Sequence, residues 1–538
     1  MEELTGVHIF LLISVSVFAA IIRLPFAIWP TGIAGDNMGV YSKIYGLSKK
    51  WTIDYDIHDA ANLQGYFPRP ALFHFLVSRF PKKMWRLMAV VLNIAFDIFS
   101  GFIVLAISYF VLWENQMQKA IWTLSIFALL LFWTAPLLMP VTARLKAANN
   151  RTMGLFLVLC YLFFYYASFY TPFAFVGMAA FAYLCVVGST FALQVFIFFS
   201  LTLTLIYGNY LGLLVAFGTI LIAYFLPFSG VKGMLLFKWE HIKMYNRNLK
   251  KSNSTKDRKF LINSMLFFFA PNGIGKKQSL FLYNAPLLIL LYSAPVLLLF
   301  IKWIFNDLEW TLLKAANLPG SSLTEFCIVI GIISSLFFIV TSIGKGKIFG
   351  ESERYFEYSL PFLVPLFIAF FGLDGPRDYL FLTFLVFAQL GITVLLHFVS
   401  LPLAIPSLLR FGQSDQVEQI LDWLEKNGPD SRIASIPIRF SRALSSGQLN
   451  RDKMKCTFYY QMIMDKENLD KGLGIFESEV ENKNTFKIEP KELRKRYGIE
   501  LLIVNDEFLR KRNPSYLSHL SLLKKEALSP GFSAYIIE

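Results

Sequence analysis

Cysteine is scarce in this sequence, and its placement excludes two common kinds of site. The 538 residues contain four cysteines, which are far apart along the chain. Cys160, Cys185 and Cys327 fall within apolar runs, whereas Cys456 does not. Isolated cysteines of this kind usually pack in a core. The sequence therefore contains neither a disulfide framework nor a cysteine-rich metal site.

Internal repeats, low-complexity segments and a nucleotide-binding loop are also missing. No period of 20–50 residues recurs, which excludes the common repeat architectures. The glycines and lysines at 344–347 lack the GxxxxGK[ST] spacing of a P-loop. Nothing in the chain therefore indicates use of ATP through such a loop.

Apolar residues are abundant instead. Hydrophobic residues make up 55% of the chain, and 55 of them are phenylalanine. Apolar runs long enough to cross a bilayer recur from residue 7 to about 405. The first run has no basic flank or small-residue cleavage site, so it is interpreted as a retained helix. The sequence predicts a polytopic α-helical membrane protein with about eleven transmembrane helices, at roughly 7–29, 87–111, 120–139, 153–171, 172–187, 191–207, 209–228, 279–301, 323–343, 357–373 and 379–405.

The composition changes after Leu409. Helical patterns such as DQVEQILDWLEKN then alternate with short apolar strands at 433–438, 499–505 and 532–538. This alternation is typical of an α/β fold. We therefore predict a transmembrane domain at 1–410, which includes a first loop at 31–86 and a basic loop at 229–278, and a small soluble α/β domain at 411–538.

The first loop contains the earliest candidate site residues. Asp36 follows the first span, where an ionisable group indicates function; a helix-capping aspartate beside Gly35 is the alternative. Further on, YFPRPALFHFLVSRF places Arg69 and His74 near the lipid headgroups, either for chemistry or as a simple surface anchor. The acidic group Asp54, Asp56, His58 and Asp59 is interpreted as a solvated loop rather than a metal site.

A second candidate segment, GESERYFEY at 350–358, precedes a later span. Arg354 lies among Glu351, Glu353 and Glu357, where a guanidinium could bind a phosphate oxygen while the carboxylates fix its orientation. A structural Arg–Glu pair at a helix end is an equal alternative. The Lys- and Arg-rich loop at 229–278 could attract anionic lipid or cover a phosphate-bearing substrate, and lipid attraction is favoured.

Together these motifs resemble the GT-C superfamily of glycosyltransferases that use polyprenyl-phosphate sugars. The shared features are GDNMGVY after the first span, YFPRPALFHFLVS in the first loop, GESERYFEY before a span and a C-terminal α/β domain. Protein O-mannosyltransferases, lipid A aminoarabinose transferases and oligosaccharyltransferase subunits belong to this superfamily. The resemblance covers nearly the whole chain, but its motifs are short.

The resemblance implies a mechanism. Asp36 matches the acidic residue that activates or positions the acceptor, and Arg354 matches the arginine that holds the donor phosphate. Arg69 and Arg144 are further candidates for that phosphate, with Glu351, Glu353 and His74 in supporting roles. The expected partners are a polyprenyl-phosphate sugar, membrane lipid and a glycan, lipid or protein acceptor, without nucleic acid. No DE or DxD pair occurs at Asp36, so no cofactor is implied and a divalent cation is left open.

The orientation of the chain has two conflicting indications. GT-C enzymes keep the first loop and the C-terminal domain outside the cytoplasm, yet most loop lysines and arginines here fall on that side, against the positive-inside tendency. A basic catalytic face suits a lipid phosphate, so we favour an extracytoplasmic site in the cell membrane. A glycan transporter or flippase and a non-catalytic envelope-assembly protein are the alternatives, although no inverted hydropathy repeat is evident.

Overall fold

The structure is a computed structural model, and it divides into two compact units. The first unit comprises Met1–Trp29, Arg86–Leu226 and Tyr245–Pro402, and the second comprises Pro30–Trp85, Pro227–Met244 and Leu403–Glu538. The structure describes residues 5–28, 44–48, 51, 63–64, 70–136, 150–226, 231–232, 234–235, 239, 293–305, 322–342, 353–373, 375–411, 414–438, 440–448, 451, 453–459, 480–481 and 485–538.

Apolar helices build the first unit, and the last of them runs past Pro402 into the second unit. In chain order they are α1 (Gly6–Ile28), α3 (Trp85–Glu114), α4 (Ile121–Thr134), α5 (Arg151–Ala167), α6 (Ala174–Gly188), α7 (Thr190–Tyr207), α8 (Tyr210–Phe225), α9 (Ala294–Phe305), α10 (Leu323–Ser342), α11 (Glu353–Phe371) and α12 (Pro376–Phe411). A helix satisfies its own backbone hydrogen bonds, which is what a lipid environment requires. The helix α2 (Leu72–Ser78) lies between α1 and α3 in sequence and belongs to the second unit.

Each predicted span overlaps one of these helices. By length and composition, four described segments are long and apolar enough to cross a membrane: Leu87–Glu114, Thr190–Tyr207, Leu323–Thr341 and Pro376–Val394. The prediction of a helical membrane protein is thus confirmed, whereas the number of helices that cross the bilayer stays a prediction.

Helix α11 lies at the centre of the first unit. Its side chains are buried without interruption from Arg354 to Ile368, and it packs against α4, α5, α9 and α10. A helix that is buried on every side can be apolar all round. Pro361 and Pro365 lie within it, where each proline removes one intrahelical N–H donor. The polar residues at its first turn therefore stand out from an otherwise apolar surrounding.

A carboxylate joins α3 to α10 at the far end of α3. Glu114 accepts hydrogen bonds from the backbone N–H of Leu323 (2.8 Å) and of Thr324 (2.9 Å) and from the Thr324 hydroxyl (2.7 Å). These amides belong to the first turn of α10, where a helix leaves N–H groups without intrahelical partners. Glu114 therefore caps α10 from a neighbouring helix.

The second unit contains a mixed six-stranded sheet. Its strands are β1 (Leu63–Gln64), β2 (Arg432–Ile436), β3 (Thr457–Tyr459), β6 (Leu501–Asn505), β7 (Lys524–Ser529) and β8 (Phe532–Ile536), in the order β1-β3-β2-β6-β8-β7. The first four are parallel neighbours, and β8 and β7 continue the sheet antiparallel. A separate antiparallel pair is formed by β4 (Val480–Glu481) and β5 (Thr485–Phe486).

Helices cover this sheet, namely α13 (Ser414–Asn427), α14 (Phe440–Gln448), α15 (Pro490–Tyr497), α16 (Asp506–Arg512) and α17 (Tyr516–Leu520). In α13 the fully buried residues are Ile420, Leu421 and Leu424, a spacing that gives a helix one apolar face. Leu502, Ile503 and Val504 in β6 are fully buried, as expected for a central parallel strand covered on both faces.

The first loop contributes to this second unit. In β1, Leu63 and Gln64 pair in parallel with Phe458 and Tyr459 of β3. Strand β1 thus lies at one edge of the sheet, and in sequence it belongs to the segment between the apolar helices α1 and α3. The predicted boundary at residue 410 stays a prediction, and the compact second unit joins residues of the first loop to those after 402.

Candidate functional site

Arg354 lies in the first turn of α11 and is almost completely buried, with 3% of its surface exposed. Its guanidinium carbon lies 3.4 Å from the ring centroid of Phe191, in the first turn of α7. This is a close cation–π contact in a poorly solvated place, where such contacts are strongest. A guanidinium can contact an aromatic ring in this way and still direct its N–H donors to other groups.

A second arginine contacts the same ring. Arg151 is the first residue of α5, and its guanidinium carbon lies 5.5 Å from the Phe191 centroid. Sequence reasoning had proposed Arg144, seven residues earlier, and overlooked Arg151. The signal that could have identified it is a single basic residue at the start of an apolar run, in NNRTMGLF.

Three helices begin at this cluster. Helix α5 starts at Arg151, α7 starts at Thr190 and α11 starts at Glu353, and the two cation–π contacts bring these starts together. A helix N-terminus carries a partial positive charge of about 0.5 elementary charge. Two guanidiniums and three helix N-termini therefore converge, an arrangement suited to an anion.

Acidic and phenolic groups complete this part of α11. Glu357, one turn after Arg354, is buried with 2% exposure, and the adjacent Tyr358 is buried as well. Glu357, Arg354 and Arg151 all lie close enough to Tyr358 to act on it electrostatically. A carboxylate close to Arg354 fits both alternatives from the sequence, because it can orient a guanidinium or simply pair with it.

Hydrogen bonds tie the helix ends around the cluster. Asn150, which precedes α5, donates to the Gly188 carbonyl at the end of α6 (3.0 Å). The Thr152 hydroxyl donates to the Asn93 side chain of α3. One turn along α3 from Asn93, Asp97 is 1% exposed. The buried polar residues thus extend from the arginines to α3.

The other predicted site residues either lie away from this cluster or are not among the residues that the structure describes. His74 is buried in α2 of the second unit, edge-on to Phe73 with ring centroids 5.8 Å apart. Glu353 is described only as the first residue of α11. The side chains Asp36, Arg69, Arg144 and Glu351, together with the acidic group at 54–59, lie outside the described residues. The roles proposed for all of these residues stay predictions.

A metal centre was left open by the sequence. Within the ranges that the structure describes, no three His, Cys, Asp or Glu side chains group closely enough to hold a metal ion. The described cysteines are all free thiols.

Comparison with known proteins identifies the fold. No protein-family model matches the chain, and no curated protein matches it in sequence. Among solved structures, the archaeal oligosaccharyltransferase AglB from Archaeoglobus fulgidus, in complex with an inhibitory peptide and a dolichol-phosphate, matches with a TM-score of 0.51 and 12% identity, over 99% of this chain and 75% of that one. The chain therefore has the fold of this oligosaccharyltransferase, and the resemblance inferred from its motifs is confirmed at the level of the fold.

Structures of ArnT from Cupriavidus metallidurans match as well. The apo structure gives a TM-score of 0.49 at 14% identity, and the structure bound to undecaprenyl phosphate gives 0.46 at 13% identity. Each match covers 98% of both chains.

Proposed function

We propose that this protein is a membrane-embedded glycosyltransferase that takes its sugar from a polyprenyl-phosphate donor. The observation that carries the proposal is the cluster in which Arg151 and Arg354 contact one phenylalanine ring where three helices begin. In a helical membrane protein, buried ionisable groups usually mark a functional pathway. The GT-C fold supports a lipid-linked sugar as the ligand class.

The donor phosphate is the anion proposed for this cluster. Arginine binds phosphate oxygens through two parallel N–H donors. Both guanidinium carbons lie within 5.5 Å of the centroid of the same Phe191 ring, so the two positive charges are close enough to act on one phosphate. Because Arg354 is nearly excluded from solvent, its attraction for a phosphate is screened less than it would be at the surface.

Sugar transfer then follows from the charge on the phosphate. An acceptor hydroxyl attacks the anomeric carbon, the bond from that carbon to the phosphate oxygen breaks, and its electron pair stays on the phosphate. Arg151 and Arg354 stabilise the negative charge that develops there. Asp36 is proposed to accept the proton of the acceptor hydroxyl as a general base. The acceptor is an envelope glycan, a lipid or a protein.

We further propose that the first loop and the C-terminal residues face the outside of the cytoplasmic membrane. Both belong to the same compact unit, and β1 pairs with β3 within it. Two segments that share one sheet must lie on one side of the membrane. The external side is the one on which GT-C enzymes act.

Sugar release from labelled polyprenyl-phosphate sugars by the purified protein tests this function. The variants Arg354→Ala and Arg151→Ala should each weaken apparent donor affinity by about 10- to 100-fold, because each removes charge-assisted hydrogen bonds. Arg377→Ala is the matched control, since Arg377 is exposed and follows the other end of α11. It should behave like wild type.

Two outcomes would contradict the proposal. Donor affinity that is unchanged in folded Arg354→Ala and Arg151→Ala would remove the cluster from donor binding. Donor binding without any sugar release, across a panel of acceptors, would instead favour a lipid-glycan transporter or an assembly protein. Because Arg354→Ala leaves Glu357 buried near an empty position, Arg354→Lys should be measured beside it as a variant that keeps the charge.

A further inference from the structure

Ser189 lies at the junction between α6 and α7, and its hydroxyl has no hydrogen-bond partner among the residues that the structure describes. The residue is fully buried, and its Oγ makes no hydrogen bond to any residue that the structure describes. Buried polar side chains in native proteins usually have a partner, so an exception calls for an explanation. A ligand oxygen would be one.

Serine at this position would be expected to cap α7. Ser189 is the N-cap residue of α7, yet it makes no side-chain hydrogen bond to the helix. Its φ of −150° and ψ of 136° are those of extended backbone, and its carbonyl accepts from Leu193 N–H (2.9 Å) as the first intrahelical bond. The 18-residue helix therefore begins with the positive end of its dipole uncapped by this side chain.

Ser189 is close to Phe191 in the chain and to helix α5 in space. Phe191, which contacts both guanidiniums, is two residues after Ser189. On the other side, α5 approaches Ser189 at Gly154, three residues after Arg151. A Cβ placed on Gly154 would lie 2.8 Å from the Ser189 Cβ and 3.0 Å from its Oγ. Ser189 thus belongs to the cluster that holds Arg151 and Arg354.

We infer that the Ser189 hydroxyl donates a hydrogen bond to a phosphate oxygen held by Arg151 and Arg354, at the N-terminus of α7. This inference rests on the proposed function and assigns a further ligand to the same phosphate. A hydroxyl donor and a helix N-terminus both favour negative charge. Their contribution grows as the bond between sugar and phosphate breaks, because the electron pair of that bond stays on the phosphate.

A packing role for Ser189 is the alternative, because a small residue is needed where α5 comes close. Two substitutions separate the roles. Ser189→Ala removes the hydroxyl without adding volume, and Ser189→Cys keeps a polar atom of similar size but supplies only a weak donor. Ser125→Ala is the matched control: Ser125 of α4 is also fully buried with an Oγ that bonds to no described residue. Helix α4 ends at Thr134, and Ser125 lies about 13 Å before that end along the helix axis.

The experiment is equilibrium binding of a polyprenyl phosphate to each purified variant in lipid nanodiscs. Ser189→Ala and Ser189→Cys should both bind about tenfold more weakly than wild type, because each loses a hydrogen bond to a charged group. Ser125→Ala should bind within twofold of wild type.

The outcomes distinguish this inference from the proposed function. If Arg354→Ala and Arg151→Ala lose affinity while folded Ser189→Ala does not, Ser189 is not a phosphate ligand and the donor site stands. If Ser189→Cys binds like wild type and only Ser189→Ala is weak, the side chain acts through packing. If neither arginine variant loses affinity, the donor site itself is wrong.

Discussion

Helix α5 comes close to the α6–α7 junction at Gly154, beside the arginine cluster, and adding one methyl group there tests the whole arrangement. In Gly154→Ala the new Cβ would lie 2.8 Å from the Cβ of Ser189 and 3.2 Å from the hydroxyl oxygen of Tyr358. Ordinary van der Waals contact begins near 3.4 Å, so α5 and the α6–α7 junction must separate by about 0.6 Å. Both neighbours are buried, which leaves them little room to move.

The size of the effect follows from two opposing terms. Overpacking a well-packed site costs about 1–3 kcal/mol. Replacing glycine by alanine within a helix contributes about 1 kcal/mol in the opposite direction. We expect a net destabilisation of about 1 kcal/mol, together with a shift of Arg151 relative to Phe191. Because small misplacements of binding groups are costly, turnover should fall by about tenfold.

Gly218→Ala provides the control. Gly218 lies in α8, and a Cβ there would meet nothing within 4 Å. This variant should be as stable as wild type or slightly more stable, with unchanged turnover. Thermal unfolding in detergent and sugar-transfer rates should be measured for both variants side by side. Should Gly154→Ala match Gly218→Ala in both measurements, the close approach of α5 to Ser189 would be refuted, and with it the geometry of the cluster.

Three further predictions address other parts of the chain. Glu114→Ala should lower stability by about 1–2 kcal/mol in thermal unfolding while donor affinity stays unchanged, since it removes only the cap of α10; a change in donor affinity would contradict this. Asp36→Asn should lose about 10²–10⁴-fold in turnover yet bind donor normally, and turnover within a few-fold of wild type would exclude Asp36 as the base. Cysteines at the exposed positions Lys83 and Ser521 should both react with a membrane-impermeant thiol reagent in intact cells; labelling only after permeabilisation would reverse the proposed orientation.

The sequence predicted the elements whose signals are long or strongly periodic. Apolar runs located the helices of the first unit, because burial in lipid requires such runs. The strands β2, β6 and β8 were predicted close to their observed bounds from short apolar segments between helices. Arg354 was identified as a candidate because it lies among glutamates before a predicted span, in a segment that resembles a GT-C motif.

Other features could not be predicted, for physical reasons. Strand β1 has two residues, which is too short for alternation to be visible, and its partner β3 is remote in sequence. Arg151 was missed because its relation to Arg354 is created only when α5, α7 and α11 pack together. The role inferred for Ser189 rests on the observation that its hydroxyl does not cap α7. A sequence pattern cannot show that an expected hydrogen bond is missing.

The pairing of β1 with β3 constrains the order in which the protein can be completed. Strand β3 is synthesised roughly 400 residues after β1, so at ribosomal rates of 5–20 residues per second the first loop waits about 20–80 s for its partner. During that time the helices of the first unit can insert and pack, but the sheet cannot close. A ribosome that stalls before β3 would leave the membrane helices in place and the first loop unpaired. Such incomplete chains should be recognised by proteases on the side of the membrane where the loop waits.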